Sequence, residues 1–475
     1  MTLYQQIASK IRRQIDRGVY LPGSRLPGVR RLSEQWGVSV STIVQAQRQL
    51  ENMGLLEARP RSGYYVTQHP WKKPQQPMTS QPELKPAPVT GQALVLQLAQ
   101  LANQAHFIHL GAAVPDVSFM PVRGFQKSLA KMVRQQIQQS ADYAFPPGLP
   151  ALREQIRRRM YRVGCDVPSD AILITNGCQE AISLALQTVA RTGDIIAIES
   201  PTFYGLLQVI EALGMKALEI PTDPCTGISL AALKLAVEQW PVKACVLSPN
   251  ASNPLGAKIP DANKQALVKL AVQHELMLIE DDIYSDLMFD GEQPRSLFSY
   301  DDPETGHTIY CSSFSKTISQ GMRIGWMILP ERLYKQAEYL KYVTNLASPT
   351  LNQLALADYL QHGNYDKHLR QVRQSYEQQI SLFTNTIYKY FPEGTRVTHP
   401  QGGFVLWLEL PENVGTLQLA HDLLEHNISI APGQIFSATQ KYQHCLRLNC
   451  AQPWSSELER ALLLLAVKVE ELVRE

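Results

Sequence analysis

Lys316 lies in the run Ser312-Ser313-Phe314-Ser315-Lys316-Thr317-Ile318-Ser319-Gln320-Gly321-Met322-Arg323-Ile324-Gly325-Trp326. An amine framed by hydroxyls, with a glycine and an arginine following one to two turns later, suits a cofactor held as a Schiff base. Pyridoxal phosphate asks for such an amine to take its aldehyde, and for fixed donors and positive charge to take its phosphate. The same run also suits a surface loop carrying a solvated lysine. Four further segments bear on that choice. Asn176-Gly177-Cys178-Gln179-Glu180 places a glycine at the start of a predicted helix, Ala181 to Ala190, where amide N–H groups and the positive dipole end face an anion; a plain helix cap is the alternative. Glu199-Ser200-Pro201-Thr202-Phe203-Tyr204-Gly205 offers Phe203 as a platform for a flat ring, or as core. In Pro249-Asn250-Ala251-Ser252-Asn253-Pro254-Leu255-Gly256, Asn253 is either a turn-former or a donor to a ring oxygen. Glu280-Asp281-Asp282-Ile283-Tyr284 supplies carboxylates and a phenol. A carboxylate against a pyridine nitrogen would hold it protonated, and an ion pair or cap is the competing role.

Continuous apolar runs precede these segments: Ala171 to Thr175, Ile195 to Ile198, Ala244 to Leu247 and Met277 to Ile279. Such strands, separated by amphipathic helical stretches, predict an α/β sheet buried on both faces. Ligands of such sheets gather at the carboxyl ends of the strands, which is where each segment falls.

Taken in order, Asn253-Pro254-x-Gly256, Asp281-x-x-Tyr284, Ser313-x-x-Lys316 and Arg323 resemble the fold-type-I pyridoxal-phosphate enzymes of aminotransferase class I and II, over roughly residues 105–455. The resemblance implies that Lys316 forms the covalent link to the cofactor, Asp281 pairs with the pyridine nitrogen, and Asn253 and Tyr284 hold the ring oxygen. It further implies that Phe203 stacks on the ring and that Gly177, Cys178, Ser313 and Arg323 take the phosphate, the first two through backbone N–H groups. Tyr143, in Tyr143-Ala144-Phe145-Pro146-Pro147-Gly148, matches a tyrosine that reaches the phosphate of a neighbouring subunit, implying a homodimer. Arg447 matches an arginine that grips a substrate carboxylate, and Gly111 a backbone contact to the same group. One departure is Ser319-Gln320-Gly321, where the family usually has a proline before the glycine.

The net charge of +2 hides an asymmetry: residues 1–70 carry +6 and the remainder −4. A basic module on a mildly acidic body points to a polyanionic partner. The seven cysteines show no C-x-x-C spacing, so no metal site is read from them, and they fit reduced thiols in a cytoplasmic protein. The apolar run Ala461 to Val467 stops at Lys468, far short of the roughly 18 residues of a membrane span. The polar, amphipathic start argues against a secretory signal.

Six prolines between His69 and Gly91 block helix and sheet, and predict an extended linker with a reach of about 60 Å. It separates residues 1–68 from residues 92–475. In the small part, Leu3, Ile7, Ile11 and Ile15 predict one apolar stripe on a first helix, ended by Gly18. A second helix follows around Val29 to Trp36. A third, capped by Ser39 or Ser41, turns Ile43, Ala46, Leu50 and Met53 inward, and a two-stranded wing with a basic tip completes the module. Such a module sets its third helix in the major groove while basic side chains hold phosphates.

The pieces Gly23-Ser24-Arg25-Leu26-Pro27-Gly28-Val29-Arg30-Arg31-Leu32, Val38-Ser39-x-Ser41-Thr42-Ile43, Leu50-Glu51-x-Met53-Gly54-Leu55 and Arg61-Ser62-Gly63-Tyr64-Tyr65-Val66 resemble the winged helix-turn-helix of the GntR regulators. Arg30, Ser41 and Thr42 are then expected at phosphates, with a helix cap open for the two hydroxyls and a solvated charge for Arg30. Val40 and Val44 depart from the basic residues usual there, so base reading falls to Gln45, Ser39, Arg48 or the wing's Arg61. The two parts joined in this order resemble the MocR group of regulators. The resemblance implies a multidomain regulator of double-stranded DNA, whose aminotransferase-like domain senses pyridoxal phosphate or an amino compound by aldimine exchange. An active aminotransferase with an appended DNA-binding domain is the alternative.

Overall fold

The computed structural model describes residues 3–16, 19–21, 23–59, 62–67, 75–92, 95, 107–291 and 293–474. Gly18 and Arg61 lie outside the described residues. The small part packs three helices, Leu3–Asp16, Val29–Trp36 and Val40–Asn52, against a hairpin of Leu56–Arg59 and Gly63–Val66. Ile7, Ile11, Leu32, Ile43, Ala46 and Leu50 form its buried centre. Leu3, the first residue of its helix, is 53% exposed, and Tyr4 packs against the centre instead, so the apolar stripe starts one position later than the four-residue spacing predicts. Met53 caps the third helix and is only partly buried.

Residues 75–91 have the extended backbone that their prolines dictate, but they are laid along the large part. Gln75 accepts from Val397 N at 2.9 Å, Ser80 Oγ accepts from Thr222 N at 2.8 Å, and Leu84 accepts from the Trp240 indole at 3.1 Å. Ala87–Pro88 pairs antiparallel with Ala217 and Lys216, and Val89 is buried behind them. An extended chain leaves its N–H and C=O groups free, and a sheet edge offers them partners. Composition therefore predicts the conformation of this stretch and misses its docking.

The large part is built on a sheet with the order Ala87–Pro88, Lys216–Asp223, Ile195–Ser200, Val242–Leu247, Met277–Asp281, Thr308–Ser313, Gly325–Ile328, Ile172–Thr175. The run from Lys216–Asp223 to Thr308–Ser313 is parallel, and Gly325–Ile328 is antiparallel to both its neighbours. The carboxyl ends of the parallel strands and of Ile172–Thr175 thus share one edge with the start of Gly325–Ile328. A second sheet, Arg396–Val397, Val405–Glu409, Cys445–Asn449 and Ala431–Pro432, forms a smaller lobe. Helices Tyr365–Tyr390, Thr416–Leu424 and Ser456–Arg474 cover it. Among the described residues, no helix is long and apolar enough to cross a membrane.

Candidate functional site

Asp281 ends its strand at the shared edge, and the Cys178 thiol donates to its Oδ1 at 3.2 Å. Burial lifts the Asp281 carboxyl to about 6, opposed by the thiol's hydrogen bond and by the charge of Lys316. Lys316, three residues past Thr308–Ser313, donates from Nζ to the Ala113 carbonyl at 2.7 Å. Burial first, and the Arg447 guanidinium second, bring its pKa down to about 8, against the pull of Asp281. A large share of this amine is therefore neutral, and nucleophilic, in mildly alkaline solution.

Gly177 caps the helix Cys178–Val189 with φ of 86°. That backbone conformation favours glycine, and a Cβ there would also displace the tip of the Arg323 guanidinium, 2.7 Å away. Arg323 adopts left-handed backbone at φ of 52° and donates to the carbonyls of Asn176 at 2.9 Å and Gln320 at 3.4 Å. Gln320, standing where the family has proline, thus offers its carbonyl to the arginine. Ser313 closes its strand beside them, its hydroxyl accepting from Ser315 N at 3.4 Å. A helix N-terminus, a guanidinium and hydroxyls together make an anion cradle.

Alternation along Cys445–Asn449 sends Leu446 and Leu448 into the core of the small lobe and Arg447 to the opposite face. Arg447 is fully buried, donating to Asn253 Oδ1 at 3.0 Å and to the Gly111 carbonyl. Tyr204 and Phe436 flank its guanidinium at 5.6 and 5.0 Å. The arginine expected to meet an incoming carboxylate is here turned onto protein acceptors, since a buried charge left unbonded is costly. Its Nε makes no hydrogen bond, and burial raises the Tyr284 phenol, opposed by the charge of Arg447 and by the neighbouring Asn253 side chain. Phe203 folds against Tyr204 at 4.8 Å between centroids. Tyr143 stands apart, 67% exposed and stacked on Phe145.

Residues 106–464 match the model of the aminotransferase class I and II family, and residues 3–66 match that of the bacterial regulatory proteins of the gntR family. The HTH-type transcriptional regulator YjiR of Escherichia coli (strain K12) is 41% identical over 97% of this chain and 97% of its own length. The chain belongs to the MocR group, a GntR head on an aminotransferase class I and II body. A second relative of this MocR-type chain, the HTH-type transcriptional regulator YdcR of the same organism, is 36% identical over 99% of the chain and 100% of its length. A solved multiple substrate aminotransferase from Thermococcus profundus superposes with a TM-score of 0.74, at 24% identity, over 81% of this chain and 98% of that one. That likeness concerns the fold alone.

In the GntR head, Ser39 caps the third helix, accepting from Thr42 N at 3.2 Å, and its hydroxyl lies 2.8 Å from those of Ser41 and Thr42. Arg30, Gln45 and Arg48 are exposed, as is Val40. The MocR body also holds groups that motif reading misses. Beside Asp281, Asp282 accepts from Asn250 at 2.9 Å and Tyr310 at 3.0 Å, while fully buried Lys264 donates to Asn250 Oδ1 at 2.8 Å and the Arg295 carbonyl at 2.6 Å. Asn250 was within reach, three residues before Asn253 in the same turn. Lys264 sits mid-helix with no local signal.

Proposed function

We propose that this MocR-type chain regulates transcription, reading duplex DNA with its winged helix while the Lys316 site senses pyridoxal phosphate, an amino compound, or both. The observation that carries the reading is the joining, in one chain, of a basic winged helix to a partly neutral Lys316 amine set between Asp281 and the Gly177–Arg323 cradle. Three features support the fit to pyridoxal phosphate: the positive-φ glycine beside the Arg323 guanidinium, the buried Tyr284 phenol beside Asn253, and an acid poised at the strand end. When bound, the cofactor supplies an aldehyde for amines and a ring that withdraws electrons.

On this reading Lys316 offers its neutral amine to the aldehyde. Asp281 holds a proton on the ring nitrogen, and its carboxyl is already shared with the Cys178 thiol. Asn253 and Tyr284 donate to the ring oxygen, and Phe203 covers the ring. Gly177, Cys178, Ser313 and Arg323 take the phosphate. Arg447 and Gly111 receive a carboxylate once the arginine leaves its protein acceptors, a switch that sets Asn253 free at the same moment. Arg30, Ser41 and Thr42 hold DNA phosphates, and Gln45, Ser39, Arg48 and Arg61 discriminate sequence. A second copy completes the site with its own Tyr143. The apolar surface formed by Tyr143, Phe145, Tyr339, Tyr342 and Val343 is the face a homodimer would cover. The place of action is the cytoplasm, where the DNA is.

The test titrates duplex DNA from upstream of the chain's gene with and without pyridoxal phosphate and a panel of amino acids. A change in affinity supports the regulator. A second reading, a working aminotransferase, is favoured by the complete residue set around Lys316. Sustained conversion of amino acid plus keto acid, with DNA affinity indifferent to both, would establish it instead.

A further inference from the structure

We propose that the helix Tyr365–Tyr390 is the mechanical link between the lysine loop and the DNA-reading helix, with Tyr365 and His368 as positioning residues at one end and Asn385 at the other. The inference rests on the regulatory reading above and names the route by which the site reaches the DNA.

At its first turn the helix grips Thr317, the residue after Lys316. The Tyr365 hydroxyl lies 2.7 Å from Thr317 Oγ1 and 3.0 Å from Asp286 Oδ2. The His368 Nε2 lies 2.7 Å from the Thr317 carbonyl, which can only accept, so Nε2 carries the proton. The Arg159 guanidinium covers the Tyr365 ring at 4.1 Å, and Arg373, one turn beyond His368, donates to the Asp286 carbonyl at 2.6 Å. This end is therefore fixed to the Lys316 loop from two sides.

The far end carries Ile380, Phe383 and Ile387 into the core of the small lobe. There Asn385 Nδ2 donates to the carbonyl of Asn52 at 3.3 Å, and Asn52 is the last residue of the DNA-reading helix Val40–Asn52. From His368 to Asn385 the rise is roughly 25 Å at about 1.5 Å per residue. The 26 residues form one continuous helix with no proline or glycine to break it, so it transmits displacement along its length. The two helices diverge from this contact around a cavity of about 1010 Å³, with Gln45, Arg48 and Glu51 on one wall and Arg370, Glu377 and Ser381 on the other. The head is thus held at the tail of its reading helix, with open space along the flank. A small tilt of the long helix re-aims Ser39 and Ser41, at the free end, by a larger distance than it moves Asn52.

The experiment measures, on the full chain, affinity for the same upstream duplex with and without pyridoxal phosphate and the same panel of amino acids, together with hydrogen exchange over residues 365–390 and 40–52. The wild type is expected to show a ratio of roughly 5- to 150-fold, the usual range of coupling between sites. Tyr365→Phe and Asn385→Ala should each bring that ratio close to one. Asn385→Ala, remote from the cofactor, should keep the full borohydride-trapped mass adduct and still change exchange at the first turn of the long helix, but no longer in residues 40–52. A responding wild type with an equally responding Asn385→Ala overturns the link and leaves the regulatory reading intact. A wild type whose DNA affinity responds neither to the cofactor nor to any amino acid of the panel removes the regulatory reading, and the link with it.

Discussion

The Lys316 site and the face of the winged helix solve opposite electrostatic problems. Around Lys316 three ionisable groups are half-buried or fully buried and are held by protein: the half-buried amine by the Ala113 carbonyl, half-buried Asp281 by a thiol, and fully buried Arg447 by Asn253 and Gly111. Burial shifts the amine down to about 8 and the carboxyl up to about 6. On the winged helix Arg30 stands in solvent, and Gln45 and Arg48 are exposed to the wide cleft beside the long helix, where charge acts at long range and salt screens it. The first is a site of fixed geometry that a single change can abolish. The second is a field assembled from increments.

The sharpest test of that contrast is Lys316→Ala, which should eliminate the covalent, borohydride-trappable adduct seen by mass, while the phosphate cradle retains some free cofactor. Next comes Lys264→Met. Removing a buried cation beside Asp282 leaves carboxylates uncompensated, and urea unfolding of the large part should show a loss of about 3–5 kcal/mol.

Arg447→Met separates burial from charge at Lys316. Only the neutral amine captures the aldehyde, so wild-type capture should rise as pH passes through about 8. Because burial is the larger cause and Arg447 the second, the variant's inflection should move to higher pH without reaching that of free lysine. The sign carries over to stability. Between about 8 and the ordinary lysine value of 10.5 the unfolded chain binds more protons, so the cofactor-free wild type gains stability as pH rises through that window, and the variant gains less.

On the open face the effects should be smaller. Arg30→Ala is expected to weaken every duplex about fivefold and to flatten the slope of log affinity against log salt by about 0.9, the signature of one phosphate contact. Ser39→Ala should cost about 1 kcal/mol of winged-helix stability through the lost cap. A loss of duplex binding in Ser39→Ala beyond that would place its hydroxyl on the DNA as well.

The same contrast governs what the sequence discloses. Gly177, Asn253, Asp281 and Lys316 are legible because each lies just past an apolar strand, and the strand edges are local features. Their partners are not. Lys316 meets Ala113 across 203 positions and Thr317 meets Tyr365 across 48, with no spacing rule to connect them. Cys178 is anticipated for its backbone N–H, whereas its thiol reaches Asp281, 103 positions away. In the head, Ile7, Ile11 and Ile43 follow helical periodicity into the core, and Leu3 fails because a stripe carries no information about where a helix overhangs its neighbour.

The proline-rich segment carries a practical consequence for anyone cutting this chain. Ala87–Pro88 lies against the outer edge of Lys216–Asp223, and Pro88, lacking an N–H, cannot recruit a further strand through that group. A truncation beginning at residue 92 removes this cover and bares the Lys216–Ala217 end of the strand, whose other end stays paired with Gly227–Ile228, and an uncovered strand edge invites aggregation. One beginning at residue 75 keeps the cover in place. The body should therefore stay monodisperse only when it retains a stretch that composition assigns to the spacer.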